Sequence, residues 1–286
     1  MSARARQLLD LVRLERIEDN IWRGQNEARN GAPLFGGQVL AQALAAASAT
    51  VDASRPCHSL HGYFLRPGKT DTPVIYLVEP IRNGKSFSTR RIVAIQYGEA
   101  IFSMDASFHD REPGLAHQLD MLAVPGPETL VDDRTIGASS EDPDQQWAMR
   151  ERPFEVRSVY QRGTPATKVT SFPSWIRFLE PVTDDQHLHR YLLAYASDMN
   201  LVATARQPHR DTVSRSEVRM ASLDHAIWFH HDINVNDWLV YIKESPQGGA
   251  GRGFNRGAFY TRDGQRVAST IQEGLMRVVQ KTADKA

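Results

Sequence analysis

The chain has 286 residues, 41% hydrophobic and 24% charged, the composition of an ordinary globular chain long enough for one large core or two smaller ones. Its 34 Lys and Arg balance 34 Asp and Glu, so no general electrostatic pull draws it to nucleic acid or to an anionic membrane surface. The one cysteine, Cys57, excludes an internal disulfide and a zinc site of clustered thiolates, and reads as a small half-buried hydrophobe.

The first segment, MSARARQLLDLVRLERIEDN, sets Leu8, Leu11 and Val12 at helical spacing interrupted by Asp10, Arg13 and Glu15. That pattern predicts a short amphipathic helix rather than a signal peptide. No apolar run reaches the roughly 18 residues that span a bilayer, and the closing TADKA matches no address signal. The expectation is a cytoplasmic protein without membrane insertion. Next, FGGQVLAQALAAASAT (Phe35 to Thr50) has strong helix propensity, with Val39, Leu40, Ala43, Leu44 and Ala47 on one side. Strand-length runs follow: HGYFLRP from His61, VIYLVEP from Val74, and a hairpin from Gly84 that turns at Gly98. The stretch Pro125 to Pro153 is acidic, contains proline and lacks apolar periodicity, and it reads as linker and excursion.

The remainder repeats the beginning. HAIWFHH from His225 lies under HGYFLRP at a separation of 164, WLVYIKE from Trp238 lies under VIYLVEP at the same separation, and a second hairpin from Gly251 turns at Gly264, offset by 166 to 167. Tyr191 to Ala205 stands where the first copy has its helix. Each copy is then one helix followed by antiparallel strands, and its helix stripe must be buried against one sheet face. Two copies predict an α+β fold, two helix-wrapped antiparallel sheets joined into one, with repeats over residues 1–115 and 156–286 and a linker over 116–155.

Several familiar motifs fail on spacing. GKS at Gly84 to Ser86 would need glycine at position 79 for a phosphate loop, and Glu79 is there. GGAGRG (Gly248 to Gly253) has no dinucleotide-binding frame and reads as a flexible hairpin edge, and no G-x-S-x-G is present. The histidines of HLH (187–189) and DHAIWFHH (224–231) lack the H-E-x-x-H spacing and read as solvated or core-satisfied side chains. His58 and His61 stay open for an acid/base role. No cofactor and no metal is expected.

Three polar residues of the second copy do not fit a purely structural pattern. Asp198, in YASDMN, reads as an N-cap or first-turn residue of the second central helix, where the first copy has LFGGQ. Ser222 opens the run SLDHAIWF. Gln272, in VASTIQEGLMR, shares a strand face with Ala268 and Thr270, and at an offset of 166 it falls on Ala106 of the first copy. An amide in a core must find partners, because leaving it unsatisfied costs roughly 1 to 3 kcal/mol.

Taken together, FGGQVLAQAL, HSLHGYFLRPG, YASDMN, SLDHAIWFH and VASTIQEGLMR resemble acyl-CoA thioesterase II, a double-hotdog hydrolase family, in the same order and over nearly the whole chain apart from 115–150. The resemblance implies a central helix wrapped by antiparallel sheet in each half. It implies hydrolysis of acyl-CoA, of medium to long chain and broad range, to fatty acid and coenzyme A. The catalytic set it carries over is Asp198, Ser222 and Gln272: the aspartate as base for a water, the other two holding that water. Ser222 stands where members of the family often have threonine. An acyl-CoA substrate and a homo-oligomer are also implied. Tyr63, Phe64, Trp228 and Phe229 are candidates for acyl channel or core, and Arg90, Arg91, Arg252 and Arg256 for phosphate contacts or a solvated strand edge. Two alternatives stay open: a hotdog dehydratase pairing His58 or His61 with Asp198, and a non-catalytic acyl-CoA binding module. The asymmetry between the copies predicts one active site per chain, built mainly from the second half.

Overall fold

A computed structural model describes residues 2–27, 33–140, 151–159 and 165–279. Helix α1 (Ala3–Leu11) starts at Ser2, whose hydroxyl accepts the Ala5 amide, and it buries Ala5, Leu8 and Leu11 as its spacing predicts. Strands β1 (Glu15–Glu18) and β2 (Ile21–Gly24) lead into α2 (Gly36–Ser48), which is buried over nearly its whole circumference. Small side chains make that possible, since Ala41, Ala43, Ala46 and Ala47 let strands and a second helix approach from all sides. Strands β3 (Cys57–Phe64), β4 (Val74–Asn83), β5 (Phe87–Gln96) and β6 (Glu99–His109) complete the first half. Tyr97 and Gly98 turn the β5–β6 hairpin with φ of 52° and 78°, the two-residue geometry that suits strand twist.

The second half follows the same plan. Helix α3 (Asp133–Ser139) precedes β7 (Phe154–Ser158) and β8 (Phe172–Phe178), then α4 (Gln186–Ser197), β9 (Val218–Ser222), β10 (Asp224–Phe229), β11 (Leu239–Gly249), β12 (Arg252–Tyr260) and β13 (Arg266–Val278). Among the described residues these strands form one 13-stranded sheet in the order β1-β2-β4-β5-β6-β3-β10-β13-β12-β11-β8-β7, with β9 also paired to β13. The order reads alike from either end, so a pseudo-two-fold passes between β3 and β10, and α2 packs against α4 inside the sheet. The approach is close: a β-carbon on Gly37 would stand 2.5 Å from the Tyr195 carbonyl oxygen.

Side-chain parity corrects the repeat alignment. At a separation of 164 the exposed His61 would coincide with His225, which is 1% exposed, and a one-residue slip moves every side chain of a strand to the other face. A separation of 165 restores agreement: it places Tyr241 on Tyr76 (241 − 76) and His225 on Leu60, all of them buried. In the outer hairpins the offset of 166 holds from the turn into β6 and β13, where Ala106 and Gln272 are both buried inward, while β5 and β12 keep 165, which sets Arg90 on Asn255. The second helix also departs from expectation, running over Gln186–Ser197 and giving way to a 3₁₀ segment, Val202–His209.

The sheet's outer face is treated differently in the two halves. In the second, Trp175, Trp238, Val240, Ile242, Ala258 and Tyr260 form a small second core beneath Met121, Val124 and Leu130 of the segment read as linker. Trp175 Nε1 donates to the Pro125 carbonyl at 2.8 Å, which fastens that cover. Residues 141–150 of the excursion lie outside the described residues.

Candidate active site

The second half carries three neutral polar side chains in a row across its inner face where the first half has one arginine and two apolar residues. In the first half, Arg90, Ala106 and Leu60 pair side by side on β5, β6 and β3. Their repeat partners are Asn255 on β12, Gln272 on β13 and His225 on β10, and all three are at most 1% exposed. The first row is built for packing. Arg90 folds inward and donates to the carbonyls of Thr50, Arg82 and Thr89, to the Thr50 hydroxyl and to Asn83 Oδ1, covering the end of α2. Fully engaged in this way, Arg90 is removed from the candidates for phosphate contact. Arg91, Arg252 and Arg256 are exposed but pair with Asp105, Glu273 and Glu244.

At the matching helix end of the second half stands Asp198. It caps the C-terminus of α4, opposite to its expected place in the first turn, and is 6% exposed. The helix macrodipole of α4 therefore offers its carboxylate no stabilisation, since the negative end faces it. Gln272 Nε2 donates to Asp198 Oδ1 at 2.8 Å. A carboxylate only accepts, so the amide nitrogen rather than its oxygen must face it. The same nitrogen lies 3.1 Å from His225 Nδ1, and His225 Nε2 lies 2.8 Å from the Ser197 hydroxyl, which in turn donates to the Ala194 carbonyl at 2.7 Å. Burial pushes the His225 imidazole below its ordinary value against the opposing pull of Asp198, which keeps the ring neutral.

Two acceptors in this row have no hydrogen-bond partner among the described residues: Gln272 Oε1 and Asn255 Oδ1. Most buried polar atoms in folded proteins are paired, so these two set the row apart from its surroundings. On the other side of the carboxylate lies the start of α2, where a β-carbon on Gly36 would stand 2.9 Å from Asp198 Oδ2 and 2.9 Å from the Phe64 ring. The first-turn amides of α2 at Gly36 and Gly37 have no acceptor within their own helix, so the helix brings its positive end to this side of the carboxylate.

Ser222 closes β9 instead of opening a long strand. It pairs with Gly274 on the inward face, two residues along β13 from Gln272, and Leu223 forms the break before β10, its amide on the Glu273 carbonyl and its carbonyl on the Phe64 amide. Among the described residues no hydrogen bond joins the Ser222 hydroxyl to Asp198 or Gln272. The structure thus brings Asp198 and Gln272 into contact and sets Ser222 beside them on the same face.

His58 and His61 belong to the opposite face. His61 stands edge-on to Trp228 at 4.9 Å, and His58 Nε2 meets the Ser107 hydroxyl at 2.8 Å, so neither pairs with Asp198. The histidine that does reach the site is His225, which the sequence reading passed over. The signal that finds it is the parity-corrected repeat, which sets His225 against Leu60 just as Gln272 is set against Ala106. Of the channel candidates, Phe64 borders the site at Gly36, Phe229 is buried, Trp228 faces outward and Tyr63 is exposed. Burial pushes the Cys57 thiol up to about 12, which leaves no thiolate nucleophile there. A cleft of about 480 Å³ between Trp238, Arg177, Asn236 and Arg262 is lined by none of the site residues. Among the described residues no group of three or more His, Cys, Asp or Glu side chains is placed to hold a metal ion, and no helix is long and apolar enough to cross a membrane.

Two helix-wrapped antiparallel sheets fused into one, with a buried carboxylate bonded to a buried glutamine at the end of α4, define a double-hotdog protein with a candidate centre at that point. The chain belongs to the acyl-CoA thioesterase family, hydrolases that act on thioesters. The family model described as acyl-CoA thioesterase matches residues 143–275, and that of the acyl-CoA thioesterase N-terminal domain matches residues 26–109. The chain is 37% identical to Acyl-CoA thioesterase 2 of Haemophilus influenzae over 276 residues, 94% of this chain and 96% of the relative. It is 35% identical to human Acyl-coenzyme A thioesterase 8 over 285 residues, 94% of this chain and 88% of that one. Among solved structures, the acyl-CoA thioesterase II TesB2 of Mycobacterium marinum superimposes with a TM-score of 0.81 at 37% identity, covering 98% of this chain and all of that one (100%).

Proposed function

We propose that this chain hydrolyses acyl-CoA by direct attack of a water held between Asp198 and Gln272. The observation that carries this reading is the 2.8 Å bond from Gln272 Nε2 to Asp198 Oδ1, which turns the partnerless Oε1 of the same amide into an acceptor for one water hydrogen. Asp198 takes the other hydrogen as the water oxygen attacks the thioester carbonyl carbon. The charge that develops on the carbonyl oxygen is met by the first-turn amides of α2 at Gly36 and Gly37. Collapse of the tetrahedral species breaks the carbon–sulfur bond. The departing thiolate receives the proton from Asp198, giving fatty acid and coenzyme A.

Ser222 holds the same water from the β9 side in this reading, supported by its inward position opposite Gly274. Acyl chains of medium to long length over a broad range, a homo-oligomeric assembly and a cytoplasmic setting complete the proposal and rest on the family resemblance. The dehydratase alternative draws no support from His58 or His61, and His225 has both ring nitrogens engaged inside the protein.

The test is release of free thiol from a panel of acyl-CoAs of graded chain length by the wild type, Asp198→Asn and Gln272→Ala. Turnover that survives in both variants sinks the site, and tight binding without turnover in the wild type supports the binding-module reading instead.

A further inference from the structure

Resting on that reading of the site, we infer that His225 is a positioning residue that acts through Gln272 and touches neither substrate nor water. One acceptor for the Gln272 amide nitrogen, Asp198, leaves the amide plane free to swivel about that single bond. A second acceptor on the same nitrogen fixes the plane and therefore the direction in which Oε1 points. His225 Nδ1, at 3.1 Å, is that second acceptor.

The ring must be in one particular tautomer to serve. Gln272 Nε2 is a donor, so Nδ1 has to be bare and Nε2 has to carry the proton. The protein enforces this from the far side. The Ser197 hydroxyl spends its hydrogen on the Ala194 carbonyl at 2.7 Å, which leaves only lone pairs toward His225 Nε2 at 2.8 Å. The polarity of the whole chain is thereby set by a helix carbonyl of α4: Gln272 donates to His225, His225 to Ser197, and Ser197 to Ala194. Ser197 is the residue next to Asp198, so the relay and the base hang from one helix end.

Two further facts separate this role from a catalytic one and from a merely structural one. His225 is 1% exposed and both nitrogens are taken, so none remains for a substrate. The same place in the first half is held by Leu60, 0% exposed and packed in the core, so the fold itself does not need an imidazole there.

The experiment is steady-state thiol release by His225→Leu and His225→Asn, with thermal unfolding of each variant and ¹⁵N NMR of the wild-type imidazole at pH 7.5. For His225→Leu, kcat falls by about 10- to 100-fold with KM within about twofold and the melting temperature close to wild type. For His225→Asn, whose Oδ1 offers an acceptor near the former Nδ1, a large part of kcat returns. The NMR spectrum shows a neutral ring protonated at Nε2. The inference is overturned by an unchanged kcat in His225→Leu, by equal impairment of both variants at full stability, by a change confined to KM, or by a ring protonated at Nδ1. Loss of turnover in Asp198→Asn together with full activity in His225→Leu removes the positioning role alone, whereas full activity in both removes the reading of the site on which it rests.

Discussion

Gly36 and Asp198 come from different halves of the chain and meet so closely that a β-carbon on the glycine would stand 2.9 Å from Oδ2 of the aspartate. The carboxylate is supplied by the C-terminal end of α4 and the glycine beside it by the N-terminal end of α2, so the candidate centre is shared across the pseudo-two-fold. A site built mainly in the second half is thus bordered by the first helix at a glycine, where a β-carbon would crowd the carboxylate.

Gly36→Ala is accordingly expected to lower kcat while leaving the melting temperature nearly unchanged, because the clash falls on side-chain atoms of Asp198 and Phe64 that can shift. Gly37→Ala behaves oppositely. Its β-carbon would meet the Tyr195 backbone oxygen at 2.5 Å, in the helix–helix contact, and overpacking of that kind costs about 1–3 kcal/mol. Thermal unfolding beside thiol-release kinetics distinguishes the two.

Gln272→Ala should destabilise the fold by about 1–3 kcal/mol toward denaturant, since it leaves Asp198 Oδ1 and His225 Nδ1 buried without their donor. Its turnover should fall by about 10²-fold or more, a scale usual for groups that position an attacking proton donor. A variant that is both active and stable contradicts the water-holding role.

Ser222→Ala is expected to cost about tenfold in kcat, the worth of one ordinary hydrogen bond lost in the transition state, and Ser222→Thr to retain most of it. Equal rates for alanine, threonine and serine would show that the hydroxyl takes no part.

Away from the site, burial lowers Lys243 to about 7 while its Nζ donates to the Ser174 hydroxyl at 2.6 Å. Against an ordinary value of 10.5, the folded chain then binds fewer protons than the unfolded chain between about pH 7 and 10.5, so this lysine makes stability rise with pH across that window. Lys243→Met should raise stability at pH 7 by about 1–4 kcal/mol and flatten the rise on the alkaline side, measured by urea unfolding from pH 6 to 9.5.

The repeat, the hairpins at Gly98 and Gly264, the alanine-rich first helix and the burial of Gln272 were all legible because each is written in local periodicity or turn chemistry. The register between copies was not. A shift of 164 aligns visible histidines, and only knowledge of which face His61 and His225 occupy reveals that 165 is correct. Asp198 misled for a related reason: aspartate favours helix starts on average, but here tertiary contact with Gln272 decides its place. Gly36 escaped notice because its closeness to Asp198 joins two distant parts of the chain, a contact that no local pattern in a sequence records.

Arg90 marks how differently the two halves use the same place. Were the halves identical and merely associated, every substitution would appear twice, and a polar row useful at one helix end would be imposed on the other. Joining them in one chain lifts that constraint. The row Arg90, Ala106 and Leu60 serves cohesion, its arginine tied to the end of α2, while its counterpart in the second half carries polar side chains. Leu60→His, Ala106→Gln and Arg90→Asn together would ask whether the first half can carry the same polar row as the second.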